Sequence, residues 1–281
     1  LFLKILCEAI TRRDKSDQQG YLRSVASGQR SMTDILEHFA REIGQDIEAD
    51  FELERKACWR ILKGTSTGPS HRSGIAGIMA DEMQEFVTKD DAVDAIKNET
   101  SLTEPEARDL LDRMISDGLL AETLHRNQGI TEVVRFPFQR FGDHIIARHL
   151  LAEYLNTDSE TAVRRSFYVD RPLGQLFELE GGNRRFAEPG LAEAIMVEFP
   201  RRLKRVDDIP DEKRELAFYI PKKRRYGAPL KDIFLDGLYW RRSESFTEQT
   251  DDLVSFYLEE LDESVQRETF DVLVGLASRP G

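Results

Sequence analysis

The chain has 281 residues, of which 40 are basic and 52 acidic, for a formal net charge of -12. Its length suits about two domains, and 40% hydrophobic with 33% charged residues suits a soluble, well-cored protein; no run reaches the ~18 apolar residues that span a bilayer, so no membrane role is expected. The acidic balance opposes non-specific attraction to phosphate backbones unless bases are gathered on one face. The two cysteines, Cys7 and Cys58, make neither a disulfide framework nor a zinc spacing, so a reducing cytoplasm is the expected compartment.

Leu1–Thr11 reads as a helix apolar on most of its circumference, with no initiator Met, lead-in or cap before it. The expectation is that these residues belong to a longer polypeptide, and that the catalytic chemistry of the whole lies upstream. Residues 12–30 are polar, contain Gly20 and Gly28, and read as a connector. One long helix is then predicted from about Ser31 to Leu62, since Ile35, Leu36, Phe39, Ile43, Ile47, Phe51, Cys58, Ile61 and Leu62 recur at three- and four-residue intervals. Gly64 stops it, and the breaker-rich run 65–70 follows.

Short helices with start signals come next. Ile75–Phe86 is the first; Thr88 followed by Asp91 resembles a cap for the second, which ends near Asn98. Thr103-Glu104-Pro105-Glu106 opens the third: Thr103 caps, Pro105 sits in the first turn, and Glu106 returns a bond to the cap. Leu110, Leu111, Met114 and Ile115 line that helix and Gly118 ends it. Leu119–Leu124 and Glu132–Phe138, joined by a turn-rich segment at 125–129, are predicted as a two-stranded wing. Helices continue over 158–281, with loops at Gly181-Gly182-Asn183, Pro200, Pro210 and Gly227-Ala228-Pro229. The predicted fold is mostly α: a helical linker or lid at 1–73, a winged-helix domain with a small β-hairpin wing at 74–152, and an α-helical, repeat-like domain at 153–281.

After the wing the chain reads RFPFQRFGDHIIARHLL, a β run that turns at Phe138 into an amphipathic helix. This stretch resembles the winged-helix end of STAND NTPases, the signal-transduction ATPases that include NACHT proteins, and is most similar to their bacterial antiviral members. LFLKILCEAI resembles the helix that closes the ATPase module of that family. GLAEAIMVEFPRRL at 190–203 and FLDGLYWRRSESF at 234–246 resemble the linking helical region of the antiviral group.

The resemblance implies an N-terminal effector, a nucleotide-binding module, this segment, and a C-terminal helical-repeat sensor that detects a phage protein. It also implies homo-oligomerisation on activation, with ATP and magnesium as cofactors of the whole protein. No phosphate loop of the G-x-x-x-x-G-K-[ST] type occurs in this chain, so no cofactor is expected to bind it and the segment alone is expected not to hydrolyse ATP. Many family members carry a His at the strand-to-helix corner that contacts the nucleotide phosphate. The matching position here is Phe138, which neither donates a hydrogen bond nor carries charge. Gln139 and Arg140, next in line, are the candidate nucleotide-state contacts, Arg140 through a bidentate fork; ion pairing with Asp143 or another carboxylate is the plainer role for that arginine.

Asp143, His144 and His149 invite a metal reading, but His144 and His149 point roughly 140° apart on a helix and do not chelate one ion together. No catalytic constellation and no metal site is expected. The basic runs Arg201-Arg202-Leu203-Lys204-Arg205 and Lys222-Lys223-Arg224-Arg225-Tyr226 could each touch nucleic acid, with Tyr226 the one neighbouring ring able to stack on a base, and each is short enough to be a solvated face or partner-binding loop. The acidic patch Glu259-Glu260-Leu261-Asp262-Glu263 could receive them from a neighbouring subunit. Trp240 is expected to anchor a helix by burial, with Arg241 and Arg242 at its rim. The competing reading is a winged-helix nucleic-acid-binding regulator whose third helix, about Glu104–Asp117, enters the major groove. Against it, that helix carries Glu104, Glu106, Asp109, Asp112 and Asp117, with only Arg108 and Arg113 as bases.

Overall fold

In the computed structural model the described residues are 18–19, 32–64, 74–82, 84–126, 130–178, 188–203, 209–210, 213–220, 228–238, 240–241, 246 and 248–259. The helix expected at 1–11, nearly all of the connector at 12–30, the breaker run at 65–70, the wing turn at 127–129 and the basic run at 222–226 lie outside them. The described chain is mostly helical with one three-stranded antiparallel sheet. It divides into two compact units, one containing residues 36–153 and the other containing 32–35 and the residues from 154 onward. Residues 36–64, expected within a linker ending at 73, belong to the same unit as 74–152.

Two helices, α1 (Met32–Asp50), of which residues 36–50 belong to the first unit, and α2 (Ala57–Lys63), replace the single helix predicted over 31–62. The chain breaks without a glycine or proline: Glu52 and Lys56 take the left-handed region at φ 52° and 68°, a conformation that disfavours side chains with a Cβ. Glu48 compensates. Its carboxylate, buried at 7% exposure, accepts from the Lys56 N–H at 2.9 Å and the Cys58 N–H at 3.0 Å. It thereby satisfies donors at the start of α2 that no intrahelical carbonyl reaches. Periodicity runs unbroken through this turn because Cys58, Ile61 and Leu62 resume the apolar stripe after it, so the break left no trace in the pattern.

Gly74–Glu82 forms α3, shorter than predicted, and Val87–Thr88 forms β1, a strand the sequence reading missed because two residues carry no alternation. Thr88 then caps α4 (Lys89–Glu99), its hydroxyl accepting from the Asp91 N–H at 3.1 Å. For α5 (Glu104–Ser116), Glu106 accepts from the Thr103 N–H at 2.8 Å. Both starts match the expected signals. Gly118, at φ 82°, ends α5 as expected, with the Leu119 N–H returning to the Met114 carbonyl at 2.9 Å.

The hairpin consists of β2 (Ala121–Arg126) and β3 (Ile130–Arg135), and the sheet order is β1-β3-β2. β3 pairs with β1 through Val87 opposite Val134, and with β2 through Glu122 opposite Val134 and Leu124 opposite Glu132. α6 (Gln139–Tyr154) follows β3 after three residues. It was expected to be amphipathic, yet Phe141–Ala147 and His149–Leu151 are all buried, polar Asp143, His144 and His149 included.

The second unit contains α7 (Glu160–Ser166), α8 (Pro172–Gln175), α9 (Pro189–Leu203), a 3-10 turn at Leu216–Phe218, α10 (Ala228–Leu238) and α11 (Glu248–Glu259). Pro200 was expected in a loop but lies buried inside α9. Its ring removes one N–H that would have reached the Met196 carbonyl, and the helix tolerates this because it ends within a turn. Phe167, Phe177, Phe199 and Tyr219 meet edge to face in the core, with centroids 5.4–6.1 Å apart. Such pairs add about 0.5–1.5 kcal/mol each beyond area burial.

Among the described residues no helix is long and apolar enough to cross a membrane.

Candidate functional site

The corner between β3 and α6 is built from Arg135-Phe136-Pro137-Phe138-Gln139-Arg140. Phe136 is the lock: its ring is buried at 4% exposure and packs edge to face on Phe141 at 5.8 Å. A Cβ added to Gly142 would sit 3.0 Å from Phe136 Cδ2 and 3.2 Å from its Cβ, so a glycine at this helix position lets the ring lie against the backbone. Phe138 and Arg140 are half-buried and Gln139 is exposed. Gln139 Nε2 donates to Glu85 Oε1 at 2.7 Å, tying the start of α6 to the segment before β1. Arg140 is engaged by other groups of the chain.

Glu85 bears on how this corner could meet a phosphate. A carboxylate hydrogen-bonded to Gln139 repels an approaching anion, so the amide suits a positioning role, and Arg140 is the one cation of the pair.

The polar residues of α6 hold the unit together. His149 faces the Lys63 carbonyl through Nδ1 at 3.2 Å, and its ring lies where a Cβ on Gly77 would meet it at 3.0 Å, so α2, α3 and α6 converge on one imidazole. Burial drives its pKa below the ordinary 6.5, against the opposing pull of the Lys63 carbonyl, Asp81 and Glu153. Arg148 pairs with buried Glu37, which also accepts from Arg41 Nη2 at 2.7 Å. Among the described residues no group of three His, Cys, Asp or Glu side chains could hold a metal ion. Cys58 is buried, and that burial, reinforced by Glu48, pushes its thiol up to about 12, well outside the reactive range.

The outer face of α5 is the second candidate surface. Each of its two bases lies between carboxylates: Arg108 donates to Asp90 at 3.0 Å and Glu104 at 3.1 Å, and Arg113 pairs with Asp50 at 3.2 Å and Asp117 at 3.0 Å. Lys89 lies within 4 Å of Asp112, Glu122 and Glu132. Burial lowers its pKa, but Asp112 and Glu122 outweigh that and the net shift is upward. Asp94, Glu106 and Asp109 add further acidic charge on α4 and α5.

In the second unit, Arg201 of the first basic run is held by Asp34 at 3.4 Å and Glu198 at 3.7 Å; residues 204–205 lie outside the described chain. The Trp240-Arg241 step reverses the expectation. Trp240 is half-exposed, whereas Arg241 is 3% exposed and forms a two-pronged pair with fully buried Glu215 at 2.8 and 3.0 Å. Thr250 Oγ1 also donates to Glu215, at 2.5 Å. An acid 26 residues away decided the fate of that arginine, and no local spacing announces such a partner. No protein-family model, no curated protein and no solved structure matches this chain.

Proposed function

We propose that this chain is the regulatory and scaffold segment of a STAND ATPase in bacterial antiviral defence, coupling nucleotide state and ligand sensing to oligomerisation and effector activation. In this reading residues 74–152 are a winged helix docked on the nucleotide-binding module of the same cytoplasmic polypeptide. The module holds ATP and magnesium, and a C-terminal region senses a phage protein. The element order helix, strand, helix, helix, strand, strand over 74–135, with sheet order β1-β3-β2, supports the winged helix.

The observation that carries the functional reading is the locked corner. Phe136 against Gly142 fixes where β3 ends and α6 begins, so a small displacement of a docked module is transmitted to the buried α6 as a rigid body. Arg140 supplies the charge that holds one state, through a nucleotide phosphate or a carboxylate of the module, and Gln139 ties the start of α6 to Glu85. The nucleic-acid reading loses support because both bases of α5 are already neutralised by acids of this chain, leaving few donors for phosphate or base edges.

Hydrogen exchange tests the reading in the polypeptide that joins this chain to its nucleotide module. Exchange of ADP for a non-hydrolysable ATP analogue is expected to change amide protection at 136–142 more than at 104–116. Equal protection at the corner in both nucleotide states would contradict it.

A further inference from the structure

β2 is an edge strand. Among the described residues it pairs with β3 alone, and Glu122, Thr123, Leu124 and Arg126 are all exposed, Leu124 at 60%. Natural edge strands are blunted by shortness, by charged side chains or proline on the edge, by a bulge or by an inward-pointing charge. The segment Ala121-Glu122-Thr123-Leu124-His125-Arg126 has no proline, and it pairs with β3 residue for residue without a bulge. Its charges lie at its two ends instead, acid first and base last.

That order is self-complementary. In an antiparallel pairing of two copies of β2 about a two-fold axis at Leu124, the two Leu124 side chains oppose each other, Thr123 opposes His125, and Glu122 opposes Arg126 on both sides. Sliding the register by one residue sets Ala121 against Arg126 and Thr123 against Leu124, and sliding it by two sets Glu122 against Leu124. Only the Leu124-centred register matches charge with charge and apolar with apolar. It also extends an apolar patch on one face of the sheet. Leu124 and Ile130 share that face, since Leu124 pairs with Glu132 and Arg126 with Ile130, and Ile130 is 68% exposed. Pairing would cover two leucines at the axis, with an isoleucine diagonal to each.

We propose that β2 is a homotypic docking edge, through which two copies of this chain join their three-stranded sheets into one continuous six-stranded sheet, β1-β3-β2-β2-β3-β1. The occupant is a second copy of the chain because the charge pattern complements itself, and main-chain hydrogen bonds along the five residues Glu122–Arg126 supply the affinity while the side-chain pairs set the register. An interface of one short strand is small, so the association is weak and concentration-dependent. The proposal does not rest on the STAND reading and stands or falls without it.

Two experiments on the 281-residue chain test it. In a Cys7→Ser background, with Cys58 buried, Leu124→Cys places two thiols opposite each other at the axis. Directly opposed residues bring their Cβ atoms to about 4.5–5.5 Å, so mild oxidation is expected to yield a covalent dimer. Ile130→Cys, on the same face but one strand further from the axis on each copy, is expected to yield none. Sedimentation velocity over a concentration series reads the charges. Glu122→Arg alone and Arg126→Glu alone set like charges opposite each other and are expected to weaken association at least tenfold, while the double exchange restores it. Circular dichroism confirms that each variant is folded, and the double exchange carries the same substitutions as the singles, so loss through misfolding is distinguished from loss of pairing. Equal cross-linking at 124 and 130, a chain that stays monomeric at the highest concentration, or association indifferent to both charge reversals would each overturn the proposal.

Discussion

The Glu215–Arg241 pair in the second unit and the Arg108 and Arg113 pairs in the first use the same chemistry in opposite settings. Glu215 and Arg241 are sealed from solvent, doubly hydrogen-bonded and supported by Thr250; the α5 arginines and their acids are open to water. Burial decides what each does. A sealed pair fixes one arrangement of chain segments, because either partner left alone is a charge without solvent. An open network contributes little to stability, and its consequence is external: it spends the bases of α5 on acids of the same chain and leaves the face unattractive to phosphate.

The largest expected effect breaks the sealed pair. Arg241→Ala leaves the Glu215 carboxylate buried with Thr250 alone among the described residues to answer it, and such a loss destabilises by about 3–5 kcal/mol. Urea unfolding followed by a probe in the second unit should show it. A midpoint close to that of the unmodified chain would mean that water reaches Glu215.

A buried titratable group in the first unit sharpens the comparison by adding pH. The folded pKa of His149 lies below its ordinary 6.5, chiefly through burial. As pH falls through the unfolded value, the unfolded chain therefore takes up a proton that the folded chain refuses. Stability from this group is complete above about pH 6.5 and declines below it until the folded value is reached. Thermal melts of the first unit should fall on acidification through that window. His149→Gln should flatten the fall, and an unchanged slope would place the acid sensitivity elsewhere.

The smallest effect belongs to the open network. Arg108→Ala and Arg113→Ala are expected to leave the melting temperature where it was. Fluorescence anisotropy at low salt is expected to detect no duplex DNA binding by the chain. Tight binding, lost when Arg108 and Arg113 are both replaced, would favour the nucleic-acid reading.

These contrasts also separate what the sequence made legible from what it hid. Local signals read well: Thr88 with Asp91, Thr103 with Glu106, and Gly118 each act within four residues and each is seen in the hydrogen bonds. The β run giving way to a helix near Phe138 was likewise legible, although β3 ends at Arg135, three residues before the predicted strand end, and α6 lacks the polar face expected of it. What stayed hidden depends on partners distant in the chain. The turn at 51–56 is held by Glu48 in the preceding helix, Arg241 is drawn inward by Glu215, and α6 is buried on most of its circumference, with Arg148 held by Glu37. At the corner, the sequence singled out Gln139 and Arg140 but not Glu85, whose hydrogen bond to Gln139 spans 54 residues.

The proposed switch depends on Arg140. In the proposed switch, a charge-assisted hydrogen bond from Arg140 would contribute about 1.5–3 kcal/mol, enough to shift a balanced two-state equilibrium by roughly ten- to a hundred-fold. The most direct measurement is the oligomer fraction of the Arg140→Ala variant of the whole polypeptide, by analytical ultracentrifugation with and without nucleotide. A changed basal fraction is expected, with the fold and melting profile intact. An oligomer fraction identical to that of the unmodified protein in every nucleotide state would contradict it and reduce Arg140 to a structural contact of the corner.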